Sequence, residues 1–582
     1  MEKLQVTQSG GDDILLNGGF NCRGITGAEA LLRTLIAEGV ECVFGYPGGQ
    51  AIPIYDKLYD FKDRLRHVLV RHEQGATHAA QGYARVSGKV GVVIVTSGPG
   101  ATNTVTGIAD AMLDSTPIVV ISGQVPSPLL GTDAFQEVDV IGVTQPITKW
   151  AYQVRRAEDI SHVVSRAFYI ASTGRPGPVV IDIAKDAQVG LLDYEYEKVD
   201  YIRSYRPWPA LEPDKIQEAA DLINKAKRPF ALVGQGVILS GAEEELIRFL
   251  EKAEIPAAST LLGLSAMPTE YRLNKGMLGM HGNLGPNRKT NECDVLIAIG
   301  MRFDDRVTGD VKTYAKQAKI IHLDIDLSEM DKNIKTDVKV LGNAKDTLRE
   351  ITKLLKPATH AKWLHSFKAD EREERSKVIQ KELHPDKEFL RMGEVVRKVS
   401  EATGHEAVLV TDVGQNQMMG ARYFKFSNTR SIVTSGGLGT MGFGLPASIG
   451  AKLGAPDRTV CLFVGDGGIQ MTLQELGTIM QEKLDIKIIL LNNHYLGMVR
   501  QWQELFFEER YSFTEMENPD FVAIAKAFRL GAREVKKREE LKDAIQEMLA
   551  WQGAYLLVVD VEKCGVVYPM VPAGGCITEM LY

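Results

Sequence analysis

The sequence predicts an α/β protein made of three doubly wound, parallel-sheet domains in succession, and three observations carry that expectation. Apolar runs of strand length alternate with segments of helix length, the pattern of β-α-β crossovers. The alternation restarts twice, after the Pro-containing stretch YIRSYRPWPALEPDK and after the charge run HSFKADEREERSKVIQKELHPDKEF. A chain of 582 residues also exceeds what one core holds, at about 150 residues per domain.

The first domain is expected over 23–190. It opens on ITGAEALLRTLIAEGV, where Thr26 is placed to cap a helix, Glu29 completes a capping-box pattern and Gly39 ends the element. VECVFG, RHVLV, KVGVVIVTSG and PIVVISG follow as strands, and STGRPGPVVIDI leads to the domain's end. A middle domain over 191–375 begins with a linker and a helix at 214–226. Its strands are RPFALVG, IPAAST, DVLIAIG and KIIHLDID, and its closing charge run reads as a solvated helix and linker without a function of its own. The third domain, 376–560, takes AVLVTDVG, TVCLFVGDGG, IKIILLNN and AYLLVVDV as strands. A polar extension, 1–22, precedes these domains, and a Pro- and Gly-rich tail, 561–582, follows them.

Composition narrows the class. Lys and Arg total 68 against 75 Asp and Glu, with no basic block, so a nucleic-acid partner is not expected. No stretch approaches about 18 unbroken apolar residues, and the start lacks a signal-peptide core, so no membrane span is expected either. Six scattered cysteines without paired spacing fit free thiols in a reducing compartment. The expected address is cytoplasmic.

The strongest chemical signal is VGDGGIQMTLQELGTIMQEKLDIKIILLNN. An apolar strand over 459–464 runs into Gly465-Asp466-Gly467-Gly468. A helix with Leu473, Leu476, Met480 and Leu484 on one face comes next, then a strand ending at Asn492-Asn493. In one β-α-β unit both strand ends emerge at the same sheet edge, so Asp466 and Asn493 can converge. The glycines let backbone approach a ligand, and the helix start presents N–H groups suited to phosphate. One carboxylate, one amide oxygen and a nearby carbonyl suit magnesium, with phosphates and water completing its octahedron. The expected ligand is a diphosphate. A second signal is Glu73 in LVRHEQGATHAA, a carboxylate at the end of the apolar strand Val68-Leu69-Val70 and before small Ala76, Ala79 and Ala80. Locally it could cap a helix start. Buried, it would have its pKa raised toward neutrality, as proton sharing with a weakly basic ring nitrogen requires.

The spacing of 24 residues between Gly467 and Asn492 resembles the signature of thiamin-diphosphate enzymes. In that family the Asp and the second Asn bind Mg2+ on the cofactor diphosphate, and a glutamate from another domain, here Glu73, contacts the aminopyrimidine ring. From about residue 23 to the end the chain is similar to the large catalytic subunits of acetohydroxyacid (acetolactate) synthase. The matching stretches are FGYPGG, RHEQGA, TSGPGATN, GTDAFQE, RPGPVVIDIAKD, GMLGMHG, RFDDRVTG, SGGLGTMGFGLPA and LGMVRQWQELFFEERYS. The resemblance implies pyrimidine-binding, middle and diphosphate-binding domains, with the site completed across a subunit boundary in a homodimer or homotetramer.

By the same resemblance Gly48, Gly49, Phe135, Gln136 and Lys185 face the reacting centre beside Glu73, and Pro47, Pro99 and Asn103 adjoin the cofactor. Val413, Gly414, Gln415, Gly439, Met441 and Met498 line thiamin diphosphate, with Met441 propping its bent form. Gly465, Gly467, Gly468, Leu496 and Gly497 adjoin its diphosphate, and Asp466, Asn493 and Tyr495 hold the metal. FAD is implied in the middle domain, at Gly234, Gln235 and Gly236, at Thr260 and Leu261, and at Leu278, Gly279, Met280 and His281. Gly300, Arg302, Asp304 and Arg306 continue that site, and Asp324 and Ile325 form its adenosine side. From the residues alone, GQG reads equally as a plain turn and RFDDRVTG as a surface ion-pair turn. Met277, Arg302 and Trp502 would contact substrate, Arg302 by a bidentate carboxylate pair and Trp502 by favouring the larger acceptor. The C-terminal tail is a candidate cover for the active site.

The implied reaction is decarboxylation of pyruvate and joining of its hydroxyethyl unit to pyruvate or 2-oxobutyrate. The products are 2-acetolactate or 2-aceto-2-hydroxybutyrate, in the first common step of branched-chain amino acid biosynthesis. A regulatory small subunit is an implied partner. The chain departs from the family's usual pattern at Asn416, at Met418-Met419 and in HGNLGPN, none of which removes a group the chemistry needs. Pyruvate decarboxylases resemble a version with paired histidines where this chain has Gln136, and glyoxylate carboligase lacks the glutamate. Catabolic acetolactate synthases lack RFDDRVTG, while a flavin oxidase stays open. A nicotinamide dehydrogenase would need a G-x-G-x-x-G after its first strand, and a non-catalytic assembly subunit would be expected to have lost Glu73, Asp466 or Asn493.

Overall fold

The protein is described here by a computed structural model covering residues 21–386 and 388–582. All but the last two residues of the expected N-terminal extension lie outside the described residues. Three six-stranded sheets, parallel throughout, follow one another along the chain. Their central strands, such as Gly91–Val95, Val295–Ile299 and Ile486–Asn492, are buried along their whole length. Helices cover both faces of such a sheet, so no polar alternation is needed.

Each sheet reverses its direction of growth beside its first strand, and the first and third reverse again at the far edge, where the last strand inserts inside the one before it. In the first, Cys42–Gly45 lies between Arg66–Leu69 and Gly91–Val95. In the second, Pro229–Val233 lies between Ala257–Ser259 and Val295–Ile299; in the third, Val408–Thr411 lies between Ile432–Val433 and Val460–Gly465. At these points two loops leave adjacent strand ends in opposite directions and open a crevice.

Sequence reading missed the strands Trp150–Val154, Asn274–Met277, Val338–Leu341, Ile432–Val433 and Gly531–Val535. All five are sheet edges, and edges are short and lack the long apolar run of a doubly covered strand. The single helix expected after Asp466 is broken into Asp466–Met471, the turn Leu473–Glu475 and Leu476–Glu482. Thr472 leaves helical geometry at the break and donates to Gly442 O at 2.9 Å. At the first helix Thr26 accepts from Glu29 N as expected, but the Glu29 carboxylate turns to Arg33.

Several contacts join the domains. Helix Glu73–Ser87 packs on helix Gly444–Gly454 at very short range: a Cβ on Gly82 would sit 2.0 Å from Ala447 O, and one on Gly450 1.7 Å from Ala79 O. The small residues after Glu73 therefore serve close helix packing between domains, more than a shell around the carboxylate. The charge run, expected to be solvated, is a helix over Ala361–Glu374 continued to Leu383, with Trp363, Phe367, Asp370, Glu374, Val378 and Glu382 buried. Glu374 pairs with Arg422 of the third domain at 2.6 Å, both side chains almost fully buried. The C-terminal tail crosses back to the middle domain, where Val571 N donates to Met280 O. Among the described residues no helix is long and apolar enough to cross a membrane, and all six cysteines are free.

Candidate active site

At the third domain's crevice, Gly465 pairs with Leu491 in the ladder, so Asp466 and Asn492-Asn493 leave neighbouring strands side by side. Asp466 is buried, and burial raises its carboxyl pKa against the opposing hydrogen bonds of Asn518 and Gly467 N. Asn518, which sequence reading missed, braces the pair: its Nδ2 donates to Asp466 Oδ2 at 2.7 Å and to Asn492 Oδ1 at 2.9 Å. It lies 25 residues past the motif in a coil with no pattern to mark it. Asn493 Nδ2 donates to Gln415 Oε1 at 3.3 Å, and Asn493 Oδ1 accepts from Tyr495 N. A Cβ on Gly497 would meet Gln415 Oε1 at 2.2 Å, and one on Gly467 would meet Leu496 at 2.6 Å and Met441 at 3.5 Å. A side chain at either position would push Gln415, Asn493 or Leu496 aside. Buried Asp412 accepts from the backbone N–H groups of Val413, Gly442 and Gly444 and so shapes the turn beneath Met441.

The first domain's crevice gathers a second set. Asn103 Nδ2 donates to Glu73 Oε2 at 2.9 Å, and half-buried Glu73 starts its helix. Gly48 is pressed on Thr96, where a Cβ would come within 2.4 Å, and Lys185 Nζ donates to Gly49 O at 3.3 Å. Gln136 has φ 64° and lies over Gly49 and Gly98. The Glu137 carboxylate shapes its loop by accepting from the N–H groups of Gly131, Thr132 and Ala134. Pro47 and Pro99 are exposed, and Phe135 is 84% exposed.

The middle domain's crevice opens into a cavity of about 700 Å³. Gln235, Gly236, Thr260, Leu261, Met277 and Leu278 line it, as do Met280, His281, Gly300, Arg302, Asp304, Arg306, Asp324 and Ile325. Val413, Gly414, Gly439, Met498 and Trp502 close it from the third domain. Gly234 and Gly279 stand behind the wall: Gly234 packs on Gly300 O, and Gly279, at φ 110°, donates to Asn287 Oδ1. Arg302 is held only loosely by Asp304, at 3.9 Å, because Asp304 caps the helix Asp305–Thr308 through Arg306 N and Val307 N. Burial pushes Asp324 up to about 7 and His281 down to about 4. Arg175 of the first domain and Trp208 of the linker also line the cavity. Neither was expected, although the aromatic in RPWP was a signal to follow.

Family comparison finds the N-terminal, central and C-terminal domains of thiamine pyrophosphate enzymes at residues 25–143, 216–351 and 412–561. The chain belongs to the thiamine pyrophosphate enzyme family. It is 44% identical over 570 residues to a probable acetolactate synthase large subunit of Methanocaldococcus jannaschii, covering 95% of both chains. It is 43% identical to the Escherichia coli acetolactate synthase isozyme 2 large subunit, covering 96% of this chain and 99% of that one. With the Corynebacterium glutamicum acetolactate synthase large subunit it shares 45%, over 96% and 90%.

The residues present fit the groups this family implies. Asp466, Asn493 and the Tyr495 carbonyl would supply an oxygen set with one carboxylate, and the described residues contain no cluster of three or more His, Cys, Asp or Glu side chains able to hold a metal alone. Such a set suits Mg2+ bound together with a phosphate. Asn416 Oδ1, beside Gly465, and His281 Nδ1, in the cavity wall, are buried polar atoms without a protein partner. Buried polar atoms of this kind are satisfied by ligand or water.

Proposed function

We propose that the chain is a catalytic subunit that makes 2-acetolactate from two pyruvate molecules, and 2-aceto-2-hydroxybutyrate when 2-oxobutyrate is the acceptor. The observation that carries this is the shared cavity, in which a loosely paired Arg302 from the middle domain faces Met498 and Trp502 from the third. Similarity to acetolactate synthase large subunits over nearly the whole chain supports it. Bound thiamin diphosphate would supply a carbon nucleophile and an electron sink for decarboxylation.

Each protein group then has a physical task. Asp466, Asn493 and Tyr495 O would hold Mg2+ and through it a diphosphate. Asn103 fixes Glu73 Oε2, which leaves Oε1 to hold or release a proton at a ring nitrogen. Arg302 would take the acceptor's carboxylate, and Trp502 would bound its alkyl group, where one methylene is worth about 1–3 kcal/mol. Middle-domain residues from Gln235 to Ile325 would hold FAD. Since Glu73, Gln136 and Phe135 lie outside the cavity, a second copy of the chain would bring them to it, so a homodimer is the smallest active form. The relatives' printed description as large subunits favours a regulatory small subunit as a further partner.

The test is a colorimetric acetoin assay after acidifying a pyruvate reaction, with and without thiamin diphosphate and Mg2+. Acetolactate is expected only with both, and its absence from cofactor-loaded protein rules the reading out. A yellow flavin chromophore on the purified protein is expected, and flavin reduction coupled to pyruvate turnover would favour an oxidase instead.

A further inference from the structure

Ser435–Thr440 runs from the strand Ile432–Val433 to Met441, carries Gly439 at φ 70°, and contributes Ser435 to Gly439 to the cavity wall. Leu438 and Gly439 are exposed, so the segment lacks packing of its own at its tip. Its own domain holds the segment at its two ends, through Gln417 Nε2 donating to Thr434 Oγ1 and Ser435 O, each at 2.8 Å, and through Phe443 N donating to Thr440 O at 3.3 Å. The remaining polar anchors come from the first domain. Asp114 accepts from Gly436 N at 2.8 Å and Gly437 N at 2.7 Å, and is itself paired with Arg85 at 2.6 Å. Asp110, one helical turn earlier, accepts from Ser435 Oγ and from Thr440 Oγ1, the latter at 3.0 Å.

These anchors are buried: the Asp114 side chain is 0% and the Arg85 side chain 6% exposed, and Asp110 is 0% exposed as a residue. Space forces the same path. A Cβ on Gly436 would meet Leu262 at 2.8 Å, and one on Gly437 would meet Asp114 at 2.9 Å and Leu113 at 3.0 Å. The segment is thus threaded between three domains and tied by carboxylates of a domain other than its own. A generic interdomain ion pair would need no backbone N–H contacts. Two adjacent N–H groups shared by one carboxylate fix the direction of the peptide chain as well as its distance.

We propose that Asp110 and Asp114 are positioning residues which, through the Ser435–Thr440 segment, set the grip of the third domain on the cofactor, making that grip depend on docking of the first domain. The inference rests on the thiamin-diphosphate reading above. Its reach is to Gly439 and Met441, which Asp110 and Asp114 do not touch.

The experiment compares Asp114→Asn, Asp110→Ala and Thr440→Val with Glu482→Gln. The last removes a different link between the same domains, the exposed Arg66–Glu482 pair at 2.7 Å. Thiamin diphosphate binding with Mg2+ is read by tryptophan emission, independent of turnover, and thermal midpoints are taken without cofactor. Asp114→Asn should weaken cofactor binding at least tenfold, while Glu482→Gln leaves it within twofold. Asp110→Ala and Thr440→Val should each weaken binding, and the double variant no more than Asp110→Ala alone, because the Thr440 hydrogen bond is one of the two that Asp110 accepts. If the aspartate variants lower the thermal midpoint but bind cofactor like the parent, the cluster is only structural and the proposal falls. Should Asp114→Asn fail to fold, the Asp110–Thr440 pair decides alone, with additive effects refuting it. Parent protein that binds no thiamin diphosphate would overturn the functional reading itself, a result distinguishable from variants that match a binding parent.

Discussion

Replacing Glu374 with Ala tests how the middle and third domains are held in register. The Glu374 carboxylate accepts from Arg422 Nη2 at 2.6 Å, from Asn283 Nδ2 at 2.8 Å and from Leu284 N at 2.8 Å. Arg422 Nη1 in turn donates to His281 O and Gly282 O, the turn that carries His281 into the cavity. With side chains 1% and 3% exposed, neither charge is hydrated. Removal of the carboxylate strands a buried guanidinium, a loss of about 3–5 kcal/mol. Two orphaned N–H groups, worth about 1–3 kcal/mol each if no water reaches them, keep the value at the upper end. The assay is urea unfolding followed by tryptophan emission, since Trp363 is buried on the same helix. The stability read from the first transition should fall by about 5 kcal/mol, and flavin retention should fall with it. Arg422→Met in the Glu374→Ala background should recover part of the loss, because the stranded charge is gone. A loss under about 1 kcal/mol, or a double variant no more stable than Glu374→Ala, would refute the reasoning.

Glu73→Gln should bind thiamin diphosphate normally yet lose about 10²–10⁴-fold in turnover, measured by initial rates at saturating cofactor; unchanged turnover removes the carboxylate from the proton path. Asn518→Ala removes the brace on Asp466 Oδ2 and should raise the half-saturating Mg2+ concentration about 10–100-fold, read by cofactor-binding titration; an unmoved curve would show that Asp466 is held without it. Asp324 bears on pH. Burial lifts its folded-state pKa to about 7 against about 3.9 in the unfolded chain, so the folded protein keeps a proton that the unfolded chain gives up between these values. Stability from this group is fullest below about pH 4 and declines as pH rises to about 7. In urea unfolding of the cofactor-free protein, Asp324→Asn should flatten that decline, gaining on the parent between pH 5 and 8; parallel pH curves would contradict the assignment.

The parts of the fold legible in the sequence are those where one residue type has few physical alternatives. Long apolar strands such as IKIILLNN and VVIDIA fit only a sheet covered on both faces. Gly465–Gly468 followed by a helix marks a backbone approach site whatever surrounds it. Apart from RHVL, edge strands were not legible, because GAREV or VKVL gains its place from a neighbour's hydrogen bonds and not from its own pattern. The charge run failed for a related reason: burial of Asp370 and Glu374 depends on Arg288, Lys289 and Arg422, which are far away in sequence.

The sequence by itself therefore determined the three parallel sheets, the crevice-forming glycines and the side-by-side placing of Asp466 and Asn493 at neighbouring strand ends, all set by local periodicity. Tertiary structure alone decided that the alanines after Glu73 serve helix-to-helix contact, that Asn518 and Asp412 brace the motif, and that Asp110 and Asp114 reach across to the Ser435–Thr440 segment. Those choices rest on contacts between residues well separated along the chain, by hundreds of positions where domains meet, where the energy of a hydrogen bond or a buried charge depends on a partner that no local pattern encodes.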